Sequence, residues 1–205
     1  MKHHDDSDVL RSEALALGVP LSPAQAGTLL SFERLLVERA VPAGMVAGSD
    51  VERMRQRHVL DCLRAAAVIR PEDGLAYDLG SGAGLPGLIV AIAVPHLQVA
   101  LVETRRRRVA FLELAVEQLA LLNAAVVSGR IEDLTGTADL CLARALAPPG
   151  RVWSLAERLL RPHGRLVYFA GEGADAPVEV PGVRRTTVAR APVLESAGPL
   201  AIMAR

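Results

Sequence analysis

The stretch DLGSGAGLPG, Asp78 to Gly87, decides the fold of this 205-residue chain. It follows the apolar run LAYDL (75–79), and glycines in that position let a strand turn sharply into a helix while the backbone stays open to a ligand. Pro86 suits the first turn of the helix that follows, where its missing N–H is one of the donors a helix start leaves unpaired anyway. Two nucleotide-binding patterns fit at once. Gly82, Gly84 and Gly87 form G-x-G-x-x-G, and Asp78 with Gly80, Gly82 and Gly84 forms an acid followed by G-x-G-x-G.

Working outward, short apolar runs alternate with helical stretches. QVALV (98–102), AAVV (124–127), ADLCLA (138–143) and GRLVYFA (164–170) read as strands, with helices near 86–94, 105–121 and 149–161 between them. This alternation predicts an α/β, Rossmann-like, doubly wound and mostly parallel sheet. GVRRTTVAR (182–190) and PLAIMAR (199–205) follow without a helical pattern between them, so a C-terminal antiparallel hairpin closes the sheet. The first third is helical. Ser22 is placed as an N-cap before Pro23, with Leu29, Phe32, Leu36 and Ala40 on one face. A second helix is expected over DVERMRQRHVLDCLRAAAVI (50–69), with Val51, Met54, His58, Cys62 and Ala66 at helical spacing. The expected organisation is a helical extension over residues 1–70 and a core over 71–205, one compact unit.

The formal charge of zero does not suggest a nucleic-acid binder, but the basic residues are unevenly spread. Arg53, Arg55, Arg57, Arg64 and Arg70 crowd one segment, and Arg105 to Arg108 are consecutive, whereas Lys2 is the only lysine. No apolar run approaches the roughly 20 residues of a membrane span, and the N-terminus has no apolar signal core, so a soluble, cytoplasmic protein is expected. Cys62 and Cys141 lack C-x-x-C spacing, which predicts neither a disulfide framework nor a metal site.

The scarcity of lysine discriminates between cofactors. A compact dehydrogenase needs a Tyr-x-x-x-Lys pair, and neither Tyr77 nor Tyr168 has a lysine nearby; a P-loop is excluded because G-K-[ST] does not occur. Asp78 would repel a pyrophosphate and suits a zwitterionic, phosphate-free ligand. Glu103, at the end of the second strand, is placed to accept hydrogen bonds from ribose hydroxyls. S-adenosylmethionine meets these demands. Cytosine-C5 transfer would need an accessible nucleophilic cysteine, and Cys141 lies inside a predicted strand.

YDLGSGAGLPGLIVAI, LVETRRRRVAFLE, VVSGRIEDL and LARALAPP, with RHVLDCL upstream, resemble the glucose-inhibited division protein B family, also called RsmG. The resemblance runs from about Val51 to Gly171. It implies a class I methyltransferase of ribosomal RNA processing, which uses S-adenosyl-L-methionine to methylate N7 of one guanine in small-subunit (16S) ribosomal RNA, free or within the subunit or its precursor. It implies cofactor contacts from the turn, Asp78, Gly80, Ser81, Gly82, Gly84 and Leu85. Glu103 would hold the ribose, and Ile131 and Glu132 the adenine. Arg144 would be the catalytic residue beside cofactor and guanine. It also implies RNA contacts from Arg57, His58, Arg107, Arg108 and Arg130.

The residues leave alternatives open. Arg144 could instead pair with Glu132 or Asp139, and His58 could be a satisfied core histidine. A methyltransferase of another RNA or of a small molecule, or a non-catalytic RNA-binding or ribosome-binding relative, would carry the same turn. The chain departs from the family pattern in two places. GMVAGSD (44–50) stands where the family has Asn-Leu-Thr, and Ala170-Gly171 where it has Lys-Gly.

Overall fold

The computed structural model describes residues 2–175, 179–194 and 197–205; Met1 of the expected extension lies outside them. The described residues form seven strands: β1 (Leu75–Leu79), β2 (Gln98–Glu103), β3 (Ala124–Ser128), β4 (Ala138–Arg144), β5 (Leu160–Phe169), β6 (Arg185–Ala189) and β7 (Leu200–Ala204). They lie in the order β3-β2-β1-β4-β5-β7-β6. Strands β1 to β5 pair in parallel, and β7 runs antiparallel to both β5 and β6. Strand order reverses between β1 and β4, and in open parallel sheets the ligand crevice lies beyond the carboxyl ends of the strands at such a point.

Three helices follow the sheet strands closely: α4 (Gly87–Ala93), α5 (Arg106–Gln118) and α6 (Pro149–Ala156). Each is a little shorter than the apolar periodicity predicts. The last turn of the third, Glu157–Leu159, tightens to a 3₁₀ helix before β5 begins. The extension begins with α1 (Lys2–Ala16) and α2 (Pro23–Leu35). Ser22 caps α2 as expected: its hydroxyl accepts from Gln25 N at 3.2 Å, while the Gln25 side chain accepts from Ser22 N at 2.9 Å. Such caps contribute about 1 kcal/mol. The Gln25 amide also donates to the carbonyls of Ile92 and Ala93 at 3.0 Å each, satisfying acceptors that the end of α4 leaves open. Gln25 thereby ties α2 to the end of α4. Leu10, Phe32, Leu36 and Leu63 share a continuous hydrophobic core with Leu88, Ile89 and Leu101.

The second expected helix is not regular. It runs as a 3₁₀ segment (Gly48–Arg53), a wide π-helical turn (Arg55–Leu60), a short α3 (Asp61–Leu63) and a 3₁₀ turn (Arg64–Val68). In a straight α-helix Asp50 and His58 would be separated by about 12 Å along the axis. Here Asp50 Oδ2 is 2.9 Å from His58 Nε2, so the axis must turn between them. Helical periodicity of the apolar residues cannot report such a bend, because it records only which face is buried.

Candidate functional site

The glycine turn leaves β1 across the end of β2, with the N–H groups of Gly80 and Ser81 both donating to Val102 O at 3.0 Å. Gly80 has φ +73°, and a Cβ there would lie 2.8 Å from Leu146 Cδ1. Glycine is required for the left-handed backbone, and its missing Cβ leaves room for the tip of Leu146 from the β4–α6 loop. Gly87 is constrained differently. A Cβ at Gly87 would meet Asp78 Oδ2 at 2.5 Å and Asp78 Cβ at 2.9 Å, which lets Gly87 N donate to Asp78 Oδ2 at 3.0 Å.

That contact relocates Asp78. Only 1% exposed, it sits beneath the turn against the start of α4 and lines neither of the two cavities at the carboxyl ends of the strands. Burial pushes its carboxyl up to about 7, opposed by the bonds from Ser81 and Gly87. The sequence reading has this carboxylate facing the ligand; in the structure its side chain lies beneath the turn. The pleat and the packing of α4 turn this side chain into the protein rather than toward the crevice. Gly84 likewise lines neither cavity.

The two cavities open along the carboxyl ends of the strands. One, about 460 Å³, is lined by Gly80, Ser81, Gly82, Leu85 and Arg144, together with Asp50, Arg57, His58 and Asp61 from the extension. The other, about 760 Å³, is lined by Glu103, Thr104, Arg130, Ile131 and Glu132. Gly80, Arg108 and Ala145 line both, and the wall the two cavities share is their neck. Both departures from the family pattern fall on the first cavity, through Met45, Val46 and Ala47 on one side and Ala170 and Gly171 on the other.

Glu103 lines the larger cavity and braces the glycine turn. Its Oε2 accepts from Gly82 N at 3.1 Å, and its Oε1 from Thr104 N at 2.8 Å and Arg105 N at 2.9 Å. Burial would raise its pKa, but these backbone donors and Arg108, 3.5 Å away, outweigh it and hold the carboxyl below the usual range. Glu103 therefore stays ionised, and its charge also stands at the start of α5, where it offsets the unfavourable placement of arginines at a helix N-terminus.

Arg144, at the end of β4, pairs with neither Glu132 nor Asp139, the two acids that are the alternative to a binding role. Asp139 is taken by the N–H groups of Gly74 and Leu75 and by Arg161, and Glu132 lies beside Arg130 and Arg151. Arg144 instead reaches the extension: Nε to Asp61 Oδ2 at 3.2 Å, Nη2 to the Arg57 carbonyl at 2.9 Å, and Nη1 to His58 Nδ1 at 3.2 Å. His58 is 8% exposed and bonded at both ring nitrogens, so it is at once a satisfied buried histidine and part of the cavity wall. Asp50 and Asp61 escaped the sequence reading. Asp61 lies within the quoted RHVLDCL, but nothing local marks its partner, 83 residues away.

The basic residues separate into two groups. Arg57 and Arg108 line cavities and are partly covered, Arg57 by an ion pair to Glu172 at 2.9 Å. Arg105, Arg106 and Arg107 are exposed and make no ion pair among the described residues, and Arg130, mostly exposed, lies 3.7 Å from Glu132; of these, Arg105 and Arg130 edge the larger cavity. Cys62 and Cys141 are fully buried, and burial pushes the Cys62 thiol up to about 12, which leaves neither as a nucleophile. No helix is long and apolar enough to cross a membrane, and no group of metal-binding side chains occurs among the described residues.

Solved structures share this architecture. A SAM-dependent methyltransferase from Aquifex aeolicus superposes with a TM-score of 0.56 at 15% identity, covering 80% of this chain and 97% of that one. TYW2 of M. jannaschii, in complex with AdoMet, gives 0.56 at 13% identity over 78% and 76% of the two chains. The fold is thus the Rossmann-like fold of class I methyltransferases. Residues 25–184 match the GidB family model, rRNA small subunit methyltransferase G, and the chain belongs to that family. A ribosomal RNA small subunit methyltransferase G of Kineococcus radiotolerans is 37% identical over 180 residues, 85% of this chain and 70% of the relative. Its counterpart in Thermobifida fusca is 39% identical over 72% of this chain and 63% of its own length. The match spans about two thirds of these relatives.

Proposed function

We propose that this chain is an S-adenosylmethionine-dependent methyltransferase acting on N7 of a guanine in small-subunit (16S) ribosomal RNA, in the cytoplasm. The observation that carries the proposal is the pair of adjacent cavities sharing Gly80, Arg108 and Ala145 in their walls along the carboxyl edge of the sheet, in a chain of this family. The residues present suit the cofactor. An ionised Glu103 lies at the end of β2 for the ribose, and Ile131 and Glu132 line the same cavity for the adenine. Gly80, Ser81, Gly82 and Leu85 line the smaller cavity for the methionine part. When bound, S-adenosylmethionine supplies a methyl group on a sulfonium.

Guanine N7 carries a lone pair and no proton, so the protein needs no general base. Its residues have to orient the base and exclude water. Arg144 stands on the wall of the smaller cavity, where a guanidinium can hold the guanine O6 edge or a phosphate. The exposed Arg105 to Arg107 and Arg130 offer phosphate contacts outside the neck. The test is to map methylated guanines in ribosomal RNA from cells with and without the protein. Loss of one N7-methylguanine is the expected result, and an unchanged map in cells lacking it refutes the proposal. A second reading, methylation of another RNA or of a small molecule, is favoured by the two family departures that line the smaller cavity. It predicts cofactor binding by calorimetry without methyl transfer to unmodified small subunits.

A further inference from the structure

Arg144 is held from three sides, and the identity of the donors fixes a proton elsewhere. A guanidinium carries hydrogen on every nitrogen and accepts from none. His58 Nδ1, 3.2 Å from Arg144 Nη1, must then be the acceptor, which puts the ring proton on Nε2. That N–H points at Asp50 Oδ2, 2.9 Å away. Of the five guanidinium N–H groups, one on each terminal nitrogen has no partner among the described residues, while Arg144 lines the smaller cavity.

We propose that Asp50 is a positioning residue, acting through the neutral, Nε2-protonated ring of His58 to fix the guanidinium of Arg144 on the cavity wall. This rests on the methyltransferase reading, since it assigns Asp50 a role in setting Arg144 for the methyl acceptor. Without the acceptor at Asp50 the ring is free to carry its proton on Nδ1, where N–H would face N–H and Arg144 Nη1 would lose its hold. Asp61 Oδ2 and the Arg57 carbonyl remain, but they grip only Nε and Nη2. Two anchors on one side let the fork tilt about them.

The same geometry sets a pH dependence. Asp50 and Arg57 from its own segment and Arg144 from β4 face the ring; Arg53 lies 3.9 Å from Asp50, Asp61 holds Arg144, and Glu172 holds Arg57. Burial holds the His58 pKa below its ordinary 6.5, opposed by the Asp50 bond and supported by Arg144 and Arg57. The arm is therefore intact at neutral pH, and fails below the range of an ordinary histidine, when protonated Nδ1 meets Arg144.

The test combines pH profiles of single-turnover methylation of unmodified small subunits with ¹⁵N-histidine NMR. Wild-type His58 should show a protonated Nε2 and a bare Nδ1 at pH 7.5, with methylation falling on the acid side as His58 gains a proton. Asp50→Ala should slow methylation about tenfold at pH 7.5, as expected for losing one charge-assisted hydrogen bond. Asp50→Asn preserves an acceptor without the charge, so it should recover most of that rate and move the acid limb to lower pH. A role limited to folding would not move the limb. Likewise His58→Asn, which places a carbonyl near the Nδ1 position, should be several-fold faster than His58→Ala. The proposal is overturned by a wild-type His58 protonated on Nδ1 at pH 7.5, by an unshifted acid limb in Asp50→Asn, or by full activity in Asp50→Ala. Wild-type protein that binds cofactor but methylates no small subunit removes the methyltransferase reading of this substrate itself. The NMR spectrum decides the tautomer independently.

Discussion

Replacing Asp78 by asparagine tests whether the acid of the glycine turn is a buried group rather than a ligand contact. The carboxyl is 1% exposed, and burial lifts it from an ordinary 3.8 to about 7. A folded-state pKa above the unfolded one means that folding disfavours ionisation. The contribution is fully present below about pH 4 and is lost as pH rises through 7, by about 4 kcal/mol in all. Asparagine keeps an oxygen that accepts from Gly87 N and has no charge to bury. The stability of Asp78→Asn relative to wild type should therefore increase by roughly 2 to 3 kcal/mol between pH 5 and pH 8. Urea unfolding followed by circular dichroism at the two pH values, at matched ionic strength, measures this directly. Taking the difference from wild type cancels the titration of groups that do not interact with Asp78, and Glu103, which does, is held ionised across this range. A gap between variant and wild type that stays constant within about 0.5 kcal/mol would refute the reasoning, because a solvated or ion-paired Asp78 has no such penalty to lose.

Gly80→Ala should weaken S-adenosylmethionine binding at least tenfold by calorimetry, since the new Cβ lies 2.8 Å from Leu146 Cδ1 at the neck shared by both cavities. The left-handed backbone at this position adds about 1 to 2 kcal/mol of strain, readable as a lower midpoint in thermal unfolding. Glu103→Ala frees the N–H groups of Gly82, Thr104 and Arg105 and should lower cofactor affinity about tenfold or more, with a smaller loss of stability. If four phosphates are neutralised by the arginines outside the neck, log K for RNA should fall with log salt at a slope near −3. Arg106→Ala with Arg107→Ala should bring the slope to about −1.5, and an unchanged slope would remove these two exposed side chains from the RNA contact.

Most of the sheet was legible along the chain. The run LAYDL coincides with β1, and the predicted ends of β2, β3 and β4 lie within a residue of the observed ones, because a short apolar run bounded by turn residues has few other uses. The C-terminal hairpin was legible for the complementary reason, that no helical pattern separates β6 from β7. Glu103 was also placed correctly at the end of its strand, where chain position alone puts a side chain at the carboxyl edge of the sheet. The bend at Asp50 was not legible, since apolar spacing cannot distinguish a straight helix from one that tightens, widens and turns.

Asp78 and Arg144 divide what the sequence determined from what only the tertiary structure decided. Glycine φ requirements, strand alternation and chain polarity are local, so the residues themselves determined a strand–turn–helix with an acid on each side of the cofactor turn. Which way each acid faces depended on what packs against it. The start of α4 occupies the space beside Asp78, while the backbone donors of the turn close around Glu103. The partners of Arg144, Asp61 and His58, stand 83 and 86 residues before it. They meet only because the extension folds its apolar face onto the core, and no short-range pattern encodes a pairing that the hydrophobic burial of distant segments creates.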